Sequence, residues 1–167
     1  MASAQFEFDP LSLNAVESAI PSVAVVTTTT VKGWVADLDD TTQEYLNGNL
    51  TVPDDIDSSG TIEFEVRGFA ATAAASRVVA FDFDHAAVAH DEDLDSATYT
   101  TEASGDKNVI NNQNDLEIHS WTETVTNAGW VAGDEVFFRI SRDPTTSGTN
   151  LTGNWRMIKL VIRVPLA

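Results

Sequence analysis

The densest run of potentially reactive side chains is acidic: Asp82, Asp84, Asp91, Glu92, Asp93 and Asp95. The Asp91-x-Asp93-x-Asp95 spacing echoes the first three ligands of a calcium loop, where alternate carboxylates converge on a hard cation. The glycine that turns such a loop at its sixth position is Ser96 here, and Glu102 reaches the twelfth position only by register. Strand-like sequence rather than helices flanks the segment, so it reads as a solvated acidic loop without structural calcium. His85 and His90, five residues apart beside Asp84 and Asp91, suggest a divalent-metal pair, but no third ligand is patterned with them. His119 alternates with Ile118 and reads as a surface or interface side chain. No nucleophile elbow, phosphate loop or metalloprotease helix is present, so the sequence is expected to belong to a non-enzyme without a cofactor.

Four tryptophans, Trp34, Trp121, Trp130 and Trp155, carry the other chemistry of note. An exposed pair beside polar groups would make a sugar-stacking platform. Buried, each would plug the core or an interface, where a large apolar body with one N–H donor is useful.

Charge narrows the classes of partner. Nine Lys and Arg stand against 26 Asp and Glu, a net charge of −17. Affinity for nucleic acid comes from cations that neutralise phosphates, and docking on anionic membranes needs the same sign; neither partner fits. There is no cysteine, which excludes disulfide scaffolds, thiolate metal sites and cysteine nucleophiles. No segment approaches the 18 or so consecutive apolar residues of a membrane span, and the first ten residues lack the basic start of a secretory signal. Five of the nine cations, Arg139, Arg142, Arg156, Lys159 and Arg163, fall in the last 34 residues. They either balance charge internally or, if the final two strands adjoin, form a positive patch for an acidic neighbour such as another copy of the chain.

The elements that must position these groups are strands. Thr, Val and Ile supply about a quarter of the chain, and such side chains fit pleated, half-buried surfaces. Alternation with period two places Ile62, Phe64 and Val66 on one face. It does the same for Val79, Phe81 and Phe83, for Val136, Phe138 and Ile140 against Glu135, Phe137 and Arg139, and for Ile158, Leu160, Ile162 and Val164. Further strands are expected over Val23–Val31, Gly33–Leu38, Gln43–Val52, Ala97–Glu102 and Leu116–Asn127, separated by Asp, Gly, Pro and Ser turns. Only Leu11–Ile20 reads as helical. Ala70–Ser76 and Thr145–Gly153 read as loops. The expected architecture is all-β: a jelly-roll-like antiparallel β-sandwich of about eight or nine strands over residues 21–167, preceded by an extended arm over residues 1–20. In the arm, Phe6 and Phe8 share one face and Glu7 takes the other. The arm is expected to dock outside its own sandwich; the alternative is pairing with its own sheet.

Two stretches carry a family resemblance. One is Trp34-Val35-Ala36-Asp37-Leu38-Asp39-Asp40-Thr41-Thr42-Gln43-Glu44, followed by Leu50-Thr51-Val52-Pro53-Asp54. The other is Val131-Ala132-Gly133-Asp134-Glu135-Val136-Phe137-Phe138-Arg139-Ile140-Ser141-Arg142-Asp143, closed by a last hydrophobic strand from Gly153 to Val164. This order resembles small structural proteins of tailed-phage virions. The resemblance implies a jelly-roll-like sandwich on the capsid surface, made in the host cytoplasm, that decorates and stabilises the head. Its expected partners are the major capsid protein and further copies of itself, most simply as a trimer. Phe6, Phe8, Arg139, Arg142, Arg156, Lys159 and Arg163 would then be the interface residues. The alternative setting is a tail-fibre or spike module that binds host-surface glycans, which would expose two or more tryptophans in a groove.

Overall fold

The computed structural model describes residues 2–14, 19–27, 32–72, 76–110, 112–145 and 148–167. Strands dominate them: β1 (Ser3–Phe8), β2 (Ser22–Thr27), β3 (Lys32–Leu38), β4 (Tyr45–Thr51), β5 (Thr61–Ala70), β6 (Val78–Val88), β7 (Thr100–Ala103), β8 (Lys107–Asn108), β9 (Glu117–Thr124), β10 (Glu135–Asp143) and β11 (Trp155–Pro165). They form two antiparallel sheets. The first runs β2-β3-β11-β5-β9, with β1 also on β11; the second runs β4-β10-β6-β7, with β8 on β6. The expected jelly-roll sandwich is what the chain forms.

The core lies between the sheets and follows the period-two reading closely. Ile62, Phe64, Val66, Val79, Phe81, Phe83, Val136, Phe138, Ile140, Leu160, Ile162 and Val164 are all buried. Phe83 lies between Phe64, at 4.5 Å between ring centroids, and Phe138, at 5.1 Å. Ile158 departs from the expectation. The β11–β5 register shifts between Met157 and Lys159, and this bulge turns Met157 inward while Ile158 is left partly exposed. Gly68 on β5 is required by packing, because a Cβ there would lie 2.3 Å from the Trp155 ring.

The N-terminal arm also departs from expectation. β1 pairs with β11 of its own chain from Ser3↔Pro165 to Phe8↔Leu160. β3 occupies only Trp155–Met157 along that edge of β11, which leaves the C-terminal half of the edge open for the arm. Phe6 and Phe8 pack on the chain's own core, Phe8 meeting Phe138 edge-on at 5.0 Å. The arm is thus the strand that completes the first sheet.

Smaller differences have local causes. The strand expected through Asn127 stops at Thr124, whose side chain accepts from the Asn127 N–H and caps helix α1 (Val125–Ala128); Gly129 ends that helix at φ +69°. Of the expected helix Leu11–Ile20, residues 10–12 form a turn whose Leu11 and Ser12 amides donate to the Asp9 carboxylate, and Asn14 bridges Asn47. Its centre, residues 15–18, lies outside the described residues, as do residues 28–31 of the expected second strand.

Candidate binding face

β10 and β11 lie in opposite sheets, so the five C-terminal cations do not form one positive patch. Each is engaged within the chain. Arg156 pairs with Asp37 at 2.8 Å, and Lys159 pairs with Glu7. Arg163 reaches Glu65 at 3.0 Å and Glu63 at 3.3 Å, and its Nε donates to Gln5. Arg142 is 1% exposed. It donates to the Leu151 and Gly153 carbonyls and to Asn150 Oδ1 at 2.5–2.8 Å, pinning the loop before β11. Burial lowers its pKa to about 10, still charged at neutral pH.

Arg139 belongs to a different surface, the outer face of the second sheet. Cross-strand partners share a face, so the register puts Glu135, Phe137, Arg139 and Ser141 of β10 beside Thr51, Asn49, Asn47 and Tyr45 of β4. On the other side they neighbour Val88, Ala86, Asp84 and Asp82 of β6. The Arg139 guanidinium lies 4.3 Å from the Tyr45 ring centroid and 4.8 Å from that of Tyr99. Its Nε donates to Asp84 at 2.7 Å, and Asp84 also accepts from Thr101 at 2.5 Å. Cation–π contact with two rings and a buried carboxylate on the same guanidinium fixes both tyrosines in place.

Phe137 is the centre of this face. It borders three hollows: one of about 230 Å³ with Leu94, Ala97 and Tyr99, one of about 260 Å³ with His90, Asp91 and Gly133, and one of about 220 Å³ with Asn14, Asn47 and Asn49. Tyr99 is 47% exposed. Polar groups surround the rings: Asn49 and Thr51 both donate to Glu135, and Gln43 donates to Asp82 and Ser141. Partly exposed aromatics interleaved with amides and carboxylates can bind a ligand that has apolar faces and a rim of hydroxyls.

The other candidates resolve differently. Trp121, Trp130 and Trp155 are buried and only Trp34 is exposed, at 48%, so no tryptophan pair forms a platform; on the second sheet Tyr99 is exposed, while Phe137 and Tyr45 are partly buried. His85 faces inward, where its Nδ1 accepts from Trp130 Nε1 at 3.2 Å. Desolvation drops its pKa to about 4. His90 is exposed beside Asp91, so the two histidines do not converge. In the acidic loop, Asp93 caps the turn Leu94–Ser96 and Glu92 accepts from the Ala89 N–H. His119, expected as a surface or interface side chain, is buried on Glu117 at 2.9 Å, between Phe81 and Trp155.

Phe137 was legible as an aromatic on a polar strand face, between Glu135 and Arg139. Tyr45 and Tyr99 carried no local signal, since strand order alone brings them to Arg139.

No family profile and no curated protein sequence matches the chain. Solved structures do match in fold. A family 35 carbohydrate-binding module from Clostridium thermocellum aligns with a TM-score of 0.53 and 11% identity, over 95% of this chain and 97% of that one. A family 35 module from Cellvibrio japonicus aligns at 0.50 and 9%, over 95% and 92%. A protein of infectious bursal disease virus aligns at 0.43 and 7% identity, over 98% of this chain and 32% of its own. At these identities the likeness is one of fold.

Proposed function

We propose that the chain is a non-catalytic carbohydrate-binding module that holds a glycan on the outer face of its second sheet. The observation that carries this reading is Phe137 at the junction of three hollows, with Tyr45 and Tyr99 held by Arg139. Pyranose rings have apolar faces that stack on such side chains, and their hydroxyls pair with amides and carboxylates like those of Asn47, Asn49 and Glu135. The bursal disease virus match is too distant to bear on function. The two family 35 matches, whose names describe carbohydrate-binding modules, support the same reading at the level of fold.

The face favours neutral glycans. Asp82, Asp84 and Glu135 lie on it, and its cation Arg139 is bonded to Asp84. With a net charge of −17, the molecule repels uronic and sialic acids. The virion setting implied by the sequence resemblance joins this reading as a tail-fibre or spike module that binds host-surface glycans. Head decoration has less support, because the arm meant for a capsid neighbour is occupied by β11.

Binding of the purified chain to a panel of neutral and acidic oligosaccharides, followed by calorimetry, tests the reading. A neutral oligosaccharide is expected to bind, and Phe137→Ala is expected to weaken it by about 1.5–3 kcal/mol, the worth of one buried aromatic side chain. That is roughly ten- to a hundredfold in Kd. The ring is partly buried, so melting should fall somewhat, and affinity is compared at a temperature where both proteins are folded. Absence of any glycan ligand, or unchanged affinity in Phe137→Ala, overturns it.

A further inference from the structure

A sheet edge presents unpaired N–H and C=O groups, and proteins blunt such edges with charge, proline, short length or a covering segment. This sandwich does so at all edges of the described residues but one. Asn14 bridges Asn47 on the edge of β4, and the Ala19 carbonyl accepts from the Tyr45 N–H. β7 has four residues and β8 two. β9 carries Glu117, His119 and Glu123. β1 carries Glu7 and is followed by Asp9 and Pro10.

Among the described residues β2 has neither a charge nor a cover along its length, and its one protection is Pro21, just before its first residue. Among the described residues its only partner is β3. From Ser18 to Val31 the sequence holds no charged residue, and most of it is Val and Thr. Val25 pairs with Trp34 and Val23 with Ala36, so these four share one face. Ala36 is in the core, yet Val23, Val25 and Trp34 are 36%, 49% and 48% exposed. The β2–β3 hairpin therefore carries the core-facing side of the sheet past the cover of the second sheet.

We propose that β2 pairs antiparallel with β2 of a second copy of this chain about a two-fold axis, joining the two first sheets and bringing the two Val23, Val25 and Trp34 clusters onto one continuous face. The charge distribution selects this occupant. Two molecules of net charge −17 repel one another across most of their surfaces, and the uncharged β2 edge is where identical chains approach with least like-charge contact. A basic partner would gain nothing there, since β2 has no carboxylate to attract it. A two-fold interface also needs a self-complementary patch, and an antiparallel pair of one uncharged strand meets that need. The contact is small, which places it among weak, transient interfaces. It leaves the outer face of the second sheet open, so it does not depend on the glycan reading.

Sedimentation velocity of the full chain over a concentration series tests the pairing, at about 0.1 M and about 1 M NaCl, where the screening length falls from roughly 10 Å to roughly 3 Å. The expected result is a monomer–dimer equilibrium that tightens severalfold at the higher salt. Val25→Lys, a change at a half-exposed site, should return the chain to monomer at both salts, with an unchanged circular dichroism spectrum showing that it folds. Hydrogen exchange at Val23–Val26 should slow as wild-type concentration rises. A monomer at every concentration and salt overturns the proposal. So does a dimer that Val25→Lys leaves intact, or one that protects another strand instead.

Discussion

The two outer faces of this sandwich share the same strand alternation and spend their polar groups in opposite ways. On the first sheet, Asp37, Arg156, Lys159, Glu7, Arg163, Glu63, Glu65 and Arg67 form a ladder of ion pairs across β3, β11, β1 and β5. Nearly every charge is matched within the chain. On the second sheet one guanidinium is clamped by a carboxylate and two tyrosines, and the surface beside it is ring edges, amides and hollows. A face whose charges pair among themselves has little left with which to recognise a ligand. A face that uses one ion pair to fix aromatic rings keeps its apolar area available. The contrast, rather than the sandwich itself, locates the candidate site.

The sharpest way to break the contrast is at Asp84. Asp84→Asn removes the buried Asp84 charge from Arg139, which should cost about 2 kcal/mol of stability. Because both tyrosines lose their anchor, glycan affinity should fall severalfold as well; calorimetric titration and denaturant unfolding read the two effects separately. Arg163→Met on the opposite face should cost about 1–2 kcal/mol, because Glu65 is as buried as Asp84 but keeps Arg67 as a second partner, and should leave glycan affinity unchanged. If affinity falls there too, the division of labour between the faces is wrong.

The smallest effect is in pH dependence, at the seam between the sheets. Glu102 on β7 hydrogen-bonds Glu123 on β9, and burial together with that neighbour raises the Glu102 pKa to about 7, while Glu123 is held low by the Thr124 amide and Asn127. Glu102 therefore carries the shared proton. A raised carboxyl binds more protons folded than unfolded, so stability falls as pH rises from 4.5 to about 7. His85, with its pKa lowered to about 4, contributes in the opposite direction between 4 and 6.5, which leaves Glu102 exposed to view only above 6.5. From pH 6.5 to 7.5 stability should drop by roughly 0.7 kcal/mol, and Glu102→Gln should flatten that slope in chemical denaturation. A slope that persists in the variant points to another group.

Most of the sandwich was legible because period-two alternation with one apolar face has few other meanings. Ile62–Val66, Val79–Phe83 and Val136–Ile140 faced inward as their pattern requires. What failed was non-local. The bulge at Ile158 is invisible where Met157, Ile158 and Leu160 are all apolar, because either phase buries hydrophobic side chains. Docking of Phe6 and Phe8 depended on β3 covering only the first three residues of β11. The supposed positive patch depended on β10 and β11 adjoining, and consecutive strands of a jelly roll cross between sheets. The binding face was half legible: Phe137 stood out of alternation, but Tyr45 and Tyr99 are far apart in sequence and meet only through β10.

Pairing of β1 with β11 also decides where the molecule can be held. The Leu166 N–H donates to the Ala2 carbonyl at 3.0 Å, and the Ala167 N–H to that of Asp55 at 2.9 Å, so both ends of the chain leave from one corner of the first sheet. A tether at either end therefore has the same geometry. Immobilised through that corner, the chain is gripped by its first sheet, and the residues of the second sheet's outer face take no part in the attachment.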